Sequence, residues 1–113
     1  MSEIAKTPSP PYYAVIFCSV RTGDGGDNGY DELAARMAEL SAGQNGFLGM
    51  EHAGSENLGI TICYWESLEA IAEWRENEEH LLAQQKGYET FYQAFATRIC
   101  KVERDNFFER QEN

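Results

Sequence analysis

The stretch YYAVIFCSV at residues 12–20 decides the fold of this 113-residue chain. Its β-branched and aromatic residues predict a strand. Apolar side chains occupy both alternating sets of positions, one containing Val15 and Phe17 and the other Ile16 and Val20. Because successive side chains of a strand point to opposite faces of a sheet, both faces of this strand must be covered.

The residues that follow predict a loop, a helix and a hairpin. Residues 21–29 are rich in glycine and aspartate and predict a loop, with Asn28 as the N-cap of a helix that begins near Tyr30 and ends at Gly43. Apolar residues recur at helical spacing through this helix: Leu33, Ala34, Met37 and Leu40. Residues 47–53 and 58–65 then predict two strands joined by the turn sequence GSEN.

The last part of the domain predicts helix and then strand. Ser67 is the expected N-cap of a second helix whose apolar stripe includes Ile71 and Trp74. Residues 77–87 predict a further helical turn or two, and residues 91–102 predict a last strand. Six glutamates at residues 66–79 stand against one arginine, which indicates a solvated helix face rather than an acidic binding patch.

The element order is therefore βαββαβ, an α+β ferredoxin-like arrangement in which both helices lie on one face of a four-stranded antiparallel sheet. Two helices leave the other face open, so we expect a second copy of the chain to cover it, giving a homodimer with a cavity between sheet and helices in each subunit. Residues 1–11 are expected to be a flexible leader, residues 12–102 the domain, and residues 103–113 a tail that docks on the partner subunit through Phe107 and Phe108.

Composition limits the partners. Nine basic and nineteen acidic residues give a net charge of −10, which disfavours nucleic acids and anionic membrane surfaces. The sequence contains no signal peptide and no apolar run long enough to span a membrane, so a cytoplasmic location is expected. No glycine-rich phosphate loop or HExxH pattern occurs, so no cofactor is expected.

The three cysteines predict buried, inert thiols. Cys18, Cys63 and Cys100 are too widely spaced for paired CxxC metal ligands or a disulfide framework. A three-thiolate metal site is the remote alternative.

Residues 64–71, YWESLEAI, followed by Trp74-Arg75 and Glu79-His80, resemble the antibiotic biosynthesis monooxygenase family, as does GFLG at residues 46–49. The likeness spans residues 12–102 and implies the dimeric α/β-barrel fold of that family. The family includes cofactor-free oxygenases of aromatic polyketides, haem-degrading enzymes and members with no assigned reaction, so the fold alone does not imply an activity.

The haem-degrading branch is matched at one position of three. Its pattern has an Asn in the first strand, a helix Trp, and a His ten residues after that Trp. Trp74 matches the tryptophan, but Gln84 stands at the histidine position and no Asn occurs in residues 12–22. His80 lies about one turn too early to replace that ligand on a regular helix. Haem binding or degradation is therefore the less favoured alternative.

The cofactor-free branch is matched at Trp65, whereas its flanking Asn and Tyr are replaced by Thr61 and Ile71. The resemblance implies a phenolic or quinone-type substrate whose deprotonated form gives an electron directly to dioxygen. We expect a cofactor-independent monooxygenase acting on a small aromatic molecule. The alternatives are a haem protein and a non-catalytic dimer that binds a small molecule.

We expect His80 and Trp74 to be catalytic, and the remaining site residues to bind substrate: Trp65, Tyr64, His52, Tyr92 and Phe95. His80 could act as a base, but a surface histidine that softens acidic repulsion is the competing interpretation. His52 could equally be a hydrogen-bonded wall residue, and both tryptophans could serve only the core.

Overall fold

The computed structural model describes residues 4–23 and 29–111. Within these ranges the elements are β1 (Tyr12–Arg21), α1 (Tyr30–Ala42), β2 (Phe47–Ser55), β3 (Leu58–Trp65), α2 (Leu68–Arg75), α3 (Glu78–Lys86), a π-helical turn (Gly87–Phe91) and β4 (Tyr92–Val102). Asn28, the expected N-cap of the first helix, lies outside the described residues. None of the helices in these ranges combines the length and apolar character needed to cross a bilayer.

The four strands form one antiparallel sheet in the order β2-β3-β1-β4. This is the ferredoxin-like α+β topology that the sequence predicted. On the face that packs against the helices, here called the helix face, Tyr13 of β1 lies opposite Trp65 of β3. Four residues further along, Phe17 lies opposite Thr61.

The core lies at the Trp65 end of the helix face. Trp65, only 1% exposed, packs with Ala70, Ile71 and Trp74 of α2. Ser67 caps α2 as expected, because its Oγ accepts a hydrogen bond from the Ala70 N–H at 3.0 Å. The end of β3 and the start of α2 are thereby fixed relative to each other.

The loop after α1 approaches this end closely. Gly46 has a positive φ of 82°, and a Cβ there would lie 2.6 Å from Ala70 Cβ. The Gly46 carbonyl also accepts the Glu66 N–H at 2.8 Å. Only glycine allows both the left-handed conformation and the close approach.

The other face of the sheet, here called the open face, carries no helix. Its apolar side chains remain substantially exposed at Val20 (39%), Leu58 (53%) and Ile60 (40%). Such a surface is typical of sheets that pack against another layer.

Both terminal segments lie at one end of the open face. The Ala5 N–H donates to Glu51 Oε2 at 2.9 Å, and Lys6 Nζ lies 3.4 Å from Glu109 Oε1. The buried Tyr12 hydroxyl donates to Asp105 Oδ2 at 2.5 Å. The segment before β1, which the sequence predicted as a leader, therefore contacts both the sheet and the tail.

Two local features differ from the expectations. The β2–β3 turn is tighter than the four residues expected, since β2 runs to Ser55 and Glu56 takes a positive φ of 54°. A bulge between Phe47 and Gly49 puts both Phe47 and Met50 on the helix face. Strand parity alone does not show such an inserted residue.

Candidate functional site

Two tryptophans and a histidine form a layered stack between the sheet and the helices, here called the tryptophan stack. Trp65, at the end of β3, lies 6.3 Å from Trp74 of α2 between ring centroids, with 28° between ring planes. His80 of α3 lies on Trp74 at 4.1 Å and 14°. Trp74 is thus the middle layer, with His80 outermost.

A break between two helices brings His80 back onto Trp74. Helix α2 ends at Arg75, and Asn77 caps α3 by accepting the His80 N–H at 3.1 Å through its side-chain oxygen. Six residues separate Trp74 from His80, a spacing that would not put them on one face of a continuous helix. The change of direction at the Asn77 cap is what makes the stack.

Helix α3 is also tied to α1. The Arg36 guanidinium forms two hydrogen bonds of 2.9 Å with the Glu79 carboxylate. The pair is exposed, so it adds little stability. It does fix the start of α3, and therefore His80, relative to α1.

The surroundings of His80 favour a neutral imidazole. Its Nδ1 lies 2.9 Å from the Trp74 carbonyl oxygen. Because a carbonyl only accepts, Nδ1 carries the hydrogen, and in the neutral ring the lone pair is on Nε2. Burial lowers the pKa of His80 below its usual value and the Arg75 charge lowers it further, against the opposing effect of the carbonyl. At neutral pH, His80 is an imidazole base.

A second group of aromatic side chains lies at the other end of the helix face, here called the arginine–tyrosine cluster: Phe17, Arg21, Tyr30, Tyr92 and Phe95. Phe17 contacts Tyr92 and Phe95 at 5.4 Å in each case, and Tyr30 contacts Tyr92 at 5.8 Å. The Arg21 guanidinium lies 3.9 Å from the Tyr30 ring centroid.

The Tyr92 hydroxyl of this cluster donates to the Tyr30 hydroxyl at 3.3 Å. Burial raises the pKa of Tyr92 well above its usual value, and its hydrogen bond with Tyr30 adds to that rise. Tyr92 therefore stays protonated at neutral pH.

Five of the seven expected site residues lie in these two places. Trp65, Trp74 and His80 form the tryptophan stack, in which His80 is half-buried against Trp74 rather than fully exposed. Tyr92 and Phe95 belong to the arginine–tyrosine cluster. The four-residue offset along β1 separates the two places by about 13 Å.

Tyr64 and His52 lie away from both groups. Tyr64 points to the open face, where its hydroxyl donates to Glu51 Oε1 at 2.7 Å, so it is not beside its neighbour Trp65. His52 lies on the exposed edge strand β2, with Nδ1 2.9 Å from Thr61 Oγ1.

Sequence reasoning missed three members of the arginine–tyrosine cluster. Phe17 was assigned only to a strand, while Arg21 and Tyr30 were assigned only to the ends of their elements. A glycine-rich stretch separates Arg21 from Tyr30, and no residue pattern predicts that they stack. Strand parity does place Phe17 and Arg21 on one face, and this was the available signal.

The described residues offer few side chains that could bind a metal ion or haem iron. No group of three metal-ligating side chains converges within the described ranges. Cys63 faces the helices, whereas Cys18 and Cys100 belong to the open-face set, so the three thiols do not share a site. Burial raises the pKa of the Cys63 thiol to about 11, as expected for an inert cysteine. Cys100, in contrast, is exposed rather than buried.

The chain belongs to the antibiotic biosynthesis monooxygenase family, whose model matches residues 11–86. It is similar to the uncharacterized protein YqjZ of Bacillus subtilis (strain 168), with 46% identity over 114 residues that cover 100% of this chain and 98% of YqjZ. That identity makes the two chains homologues over nearly their whole lengths.

Solved structures share the fold. Rv0793 of Mycobacterium tuberculosis matches with a TM-score of 0.69 and 16% identity, covering 88% of this chain and 99% of Rv0793. SnoaB of Streptomyces nogalater, a cofactor-independent oxygenase, matches with a TM-score of 0.63 and 15% identity, covering 91% of this chain and 97% of SnoaB. These similarities establish the fold class, and the family membership supports a monooxygenase.

Proposed function

We propose that this protein is a cofactor-independent monooxygenase that oxygenates a small aromatic molecule of the phenolic or quinone type. The single observation that carries the proposal is the half-buried His80 ring stacked on Trp74, whose Nδ1–H donates to the Trp74 carbonyl and leaves the lone pair on Nε2. SnoaB, which shares the fold, is a cofactor-independent oxygenase.

In the proposed reaction, His80 takes the hydroxyl proton of the substrate. A phenolate transfers an electron to dioxygen far more readily than a phenol, so this proton transfer starts the chemistry. An anthrone would react as its hydroxyl tautomer: the former methylene carbon becomes a carbonyl with one oxygen atom of dioxygen, and the other oxygen atom leaves as water with the two hydrogens of the methylene group. The substrate supplies every electron, and the imidazolium returns its proton to the departing oxygen.

In this reaction the tryptophan stack holds the His80 ring in place and donates no electrons. Trp65 and Trp74 are buried and pack against each other, so Trp74 offers His80 a rigid support. Rigid placement of a base removes much of the orientational entropy from the barrier. His80 is the proposed catalytic residue, and Trp74, which supports its ring, is a positioning residue.

The exposed apolar open face supports a homodimer as the working form. Val20, Leu58 and Ile60 would otherwise remain in water, and a second copy of the sheet would cover them. Sedimentation of the full chain over a concentration series tests this assembly, and a single monomeric species at every concentration argues against it.

Oxygen uptake by metal-free protein with a panel of hydroquinones and anthrones tests the activity. We expect at least one compound to be consumed, and His80→Gln to lower its turnover about 100-fold or more because the base is lost. His52→Gln is the matched change at the other histidine and should leave most of the turnover. If some compounds bind and none is consumed, the non-catalytic binding alternative is correct; if none binds, the site assignment is wrong.

Haem binding is a second candidate, and one observation favours it. A histidine that donates Nδ1–H to a backbone carbonyl has the orientation typical of a metal-ligating imidazole. Gln84, at the family's ligand position, is not a usual haem ligand, so His80 would have to bind the iron. A haem titration with no Soret shift, or a shift unaltered in His80→Ala, would remove this candidate.

A further inference from the structure

The arginine–tyrosine cluster combines exposed aromatic surface with a cation. Phe95 is 37% exposed and Tyr88, in ring contact with Phe95 at 5.1 Å, is 72% exposed. Aromatic faces of this kind stack well on a flat ring. The region is therefore a platform on the helix face rather than a sealed core.

No side chain of the described residues uses the hydrogen-bond donors of Arg21 at this platform. Its guanidinium carbon lies 3.9 Å from the Tyr30 ring centroid, which is a cation–π contact. Among residues 4–23 and 29–111, no side chain forms a hydrogen bond or an ion pair with that guanidinium. A guanidinium carries N–H groups in a planar fork that matches a carboxylate.

Charge makes this position distinctive. The chain carries a net charge of −10, so its surface as a whole repels anions. The half-buried Arg21 reverses that preference locally. The aromatic rings around it lower the local dielectric constant, which strengthens a charge-assisted hydrogen bond between Arg21 and an anion. An anion without an aromatic ring would gain only the Arg21 contact.

We infer that the arginine–tyrosine cluster binds aromatic acids, with the ring stacked on Phe95 and Tyr92 and the carboxylate held by Arg21. Arg21 then selects anionic aromatic molecules over neutral ones of the same shape. This inference rests on the proposed function, since it names the class of substrate that the helix face admits. Arg21 acts here as a specificity determinant and takes no part in proton transfer.

Binding of 2-naphthoate and its uncharged analogue 2-naphthamide, measured by isothermal titration calorimetry, tests the inference. We expect wild type to bind 2-naphthoate at least about tenfold more tightly than 2-naphthamide, because only the acid forms charge-assisted bonds. Arg21→Gln should abolish this preference. Arg104→Gln, which removes the same charge from the exposed tail, should retain it.

Two further measurements keep the inference testable if Arg21→Gln fails to fold. Intermolecular NOEs from naphthoate ring protons to Tyr92 and Phe95 in the wild-type protein locate the ligand even if Arg21→Gln fails to fold. Arg21→Lys keeps the charge and should keep part of the preference. Equal affinity for the two probes, or NOEs to other residues, would overturn the inference.

Neither probe is a hydroquinone or an anthrone, so the binding result does not depend on turnover. Selective naphthoate binding with no oxygen uptake from any compound in the panel would count against the proposed function alone. Oxygen uptake together with equal binding of the two probes would count against the inference alone.

Discussion

The tryptophan stack and the arginine–tyrosine cluster lie on the same face of the sheet, yet their surroundings differ in burial and in charge. Trp65 is 1% exposed and packs against α2, while Phe95 at the other end is 37% exposed. The buried end holds a neutral base, His80, and the open end holds the cation Arg21. One end is suited to proton transfer away from water and the other to capture of a ligand from water.

The difference in burial gives the largest expected effect on stability. Trp65→Ala removes the most buried large side chain of the core and should lower the free energy of unfolding by about 3–5 kcal/mol. Phe95→Ala removes a ring that borders solvent and should cost only about 1–2 kcal/mol. Urea denaturation of both variants measures the contrast, and equal losses would show that the two ends are packed alike.

The neutral His80 of the tryptophan stack predicts that the free energy of unfolding depends on pH. Its pKa in the folded protein is lowered from the usual 6.5, so below that value the unfolded chain binds more protons than the folded one. The free energy of unfolding should therefore be at its full value above pH 6.5 and fall as the pH drops towards the folded pKa.

Urea denaturation at a series of pH values between about 7.5 and 5.5 measures this fall, a range that avoids most carboxylate titration. His80→Gln should flatten the profile, because glutamine does not titrate. An identical slope in wild type and His80→Gln would mean that the histidine is not desolvated by its contact with Trp74.

Tyr92→Phe should have the smallest effect on the free energy of unfolding, and it tests the arginine–tyrosine cluster. The substitution removes the hydrogen bond to the Tyr30 hydroxyl and leaves the ring contacts in place. A loss of about 1 kcal/mol or less is expected, since the bond is long at 3.3 Å and the region borders solvent. A larger loss, seen in the same denaturation experiment, would indicate that the hydroxyl pair holds α1 on the sheet.

Much of the fold followed from short-range patterns. The β-branched and aromatic residues at 12–20 predicted a strand, and β1 covers Tyr12–Arg21, where it pairs with β3 and with β4. The Ser67 cap marked the start of α2 within a residue. These features depend on neighbouring residues, which is why sequence reasoning finds them.

The site was harder to predict because it depends on contacts between elements. Tyr64 and Trp65 were assigned to one site, although adjacent strand residues point to opposite faces, and the structure separates them. The stacking of His80 on Trp74 depends on the helix break at Asn77. Neither a bulge nor a change of helix direction leaves a periodic signal in sequence.

The contact between the two terminal segments has a practical consequence for engineering. With Lys6 and Glu109 only 3.4 Å apart at their charged atoms, a short glycine–serine linker could connect Glu109 to Lys6 and close the chain into a circle. New ends opened at the β2–β3 turn, beside Glu56, would leave every strand pairing in place. Such a circular permutant would move fusion partners to the hairpin tip and leave the corner beside Tyr12 unobstructed.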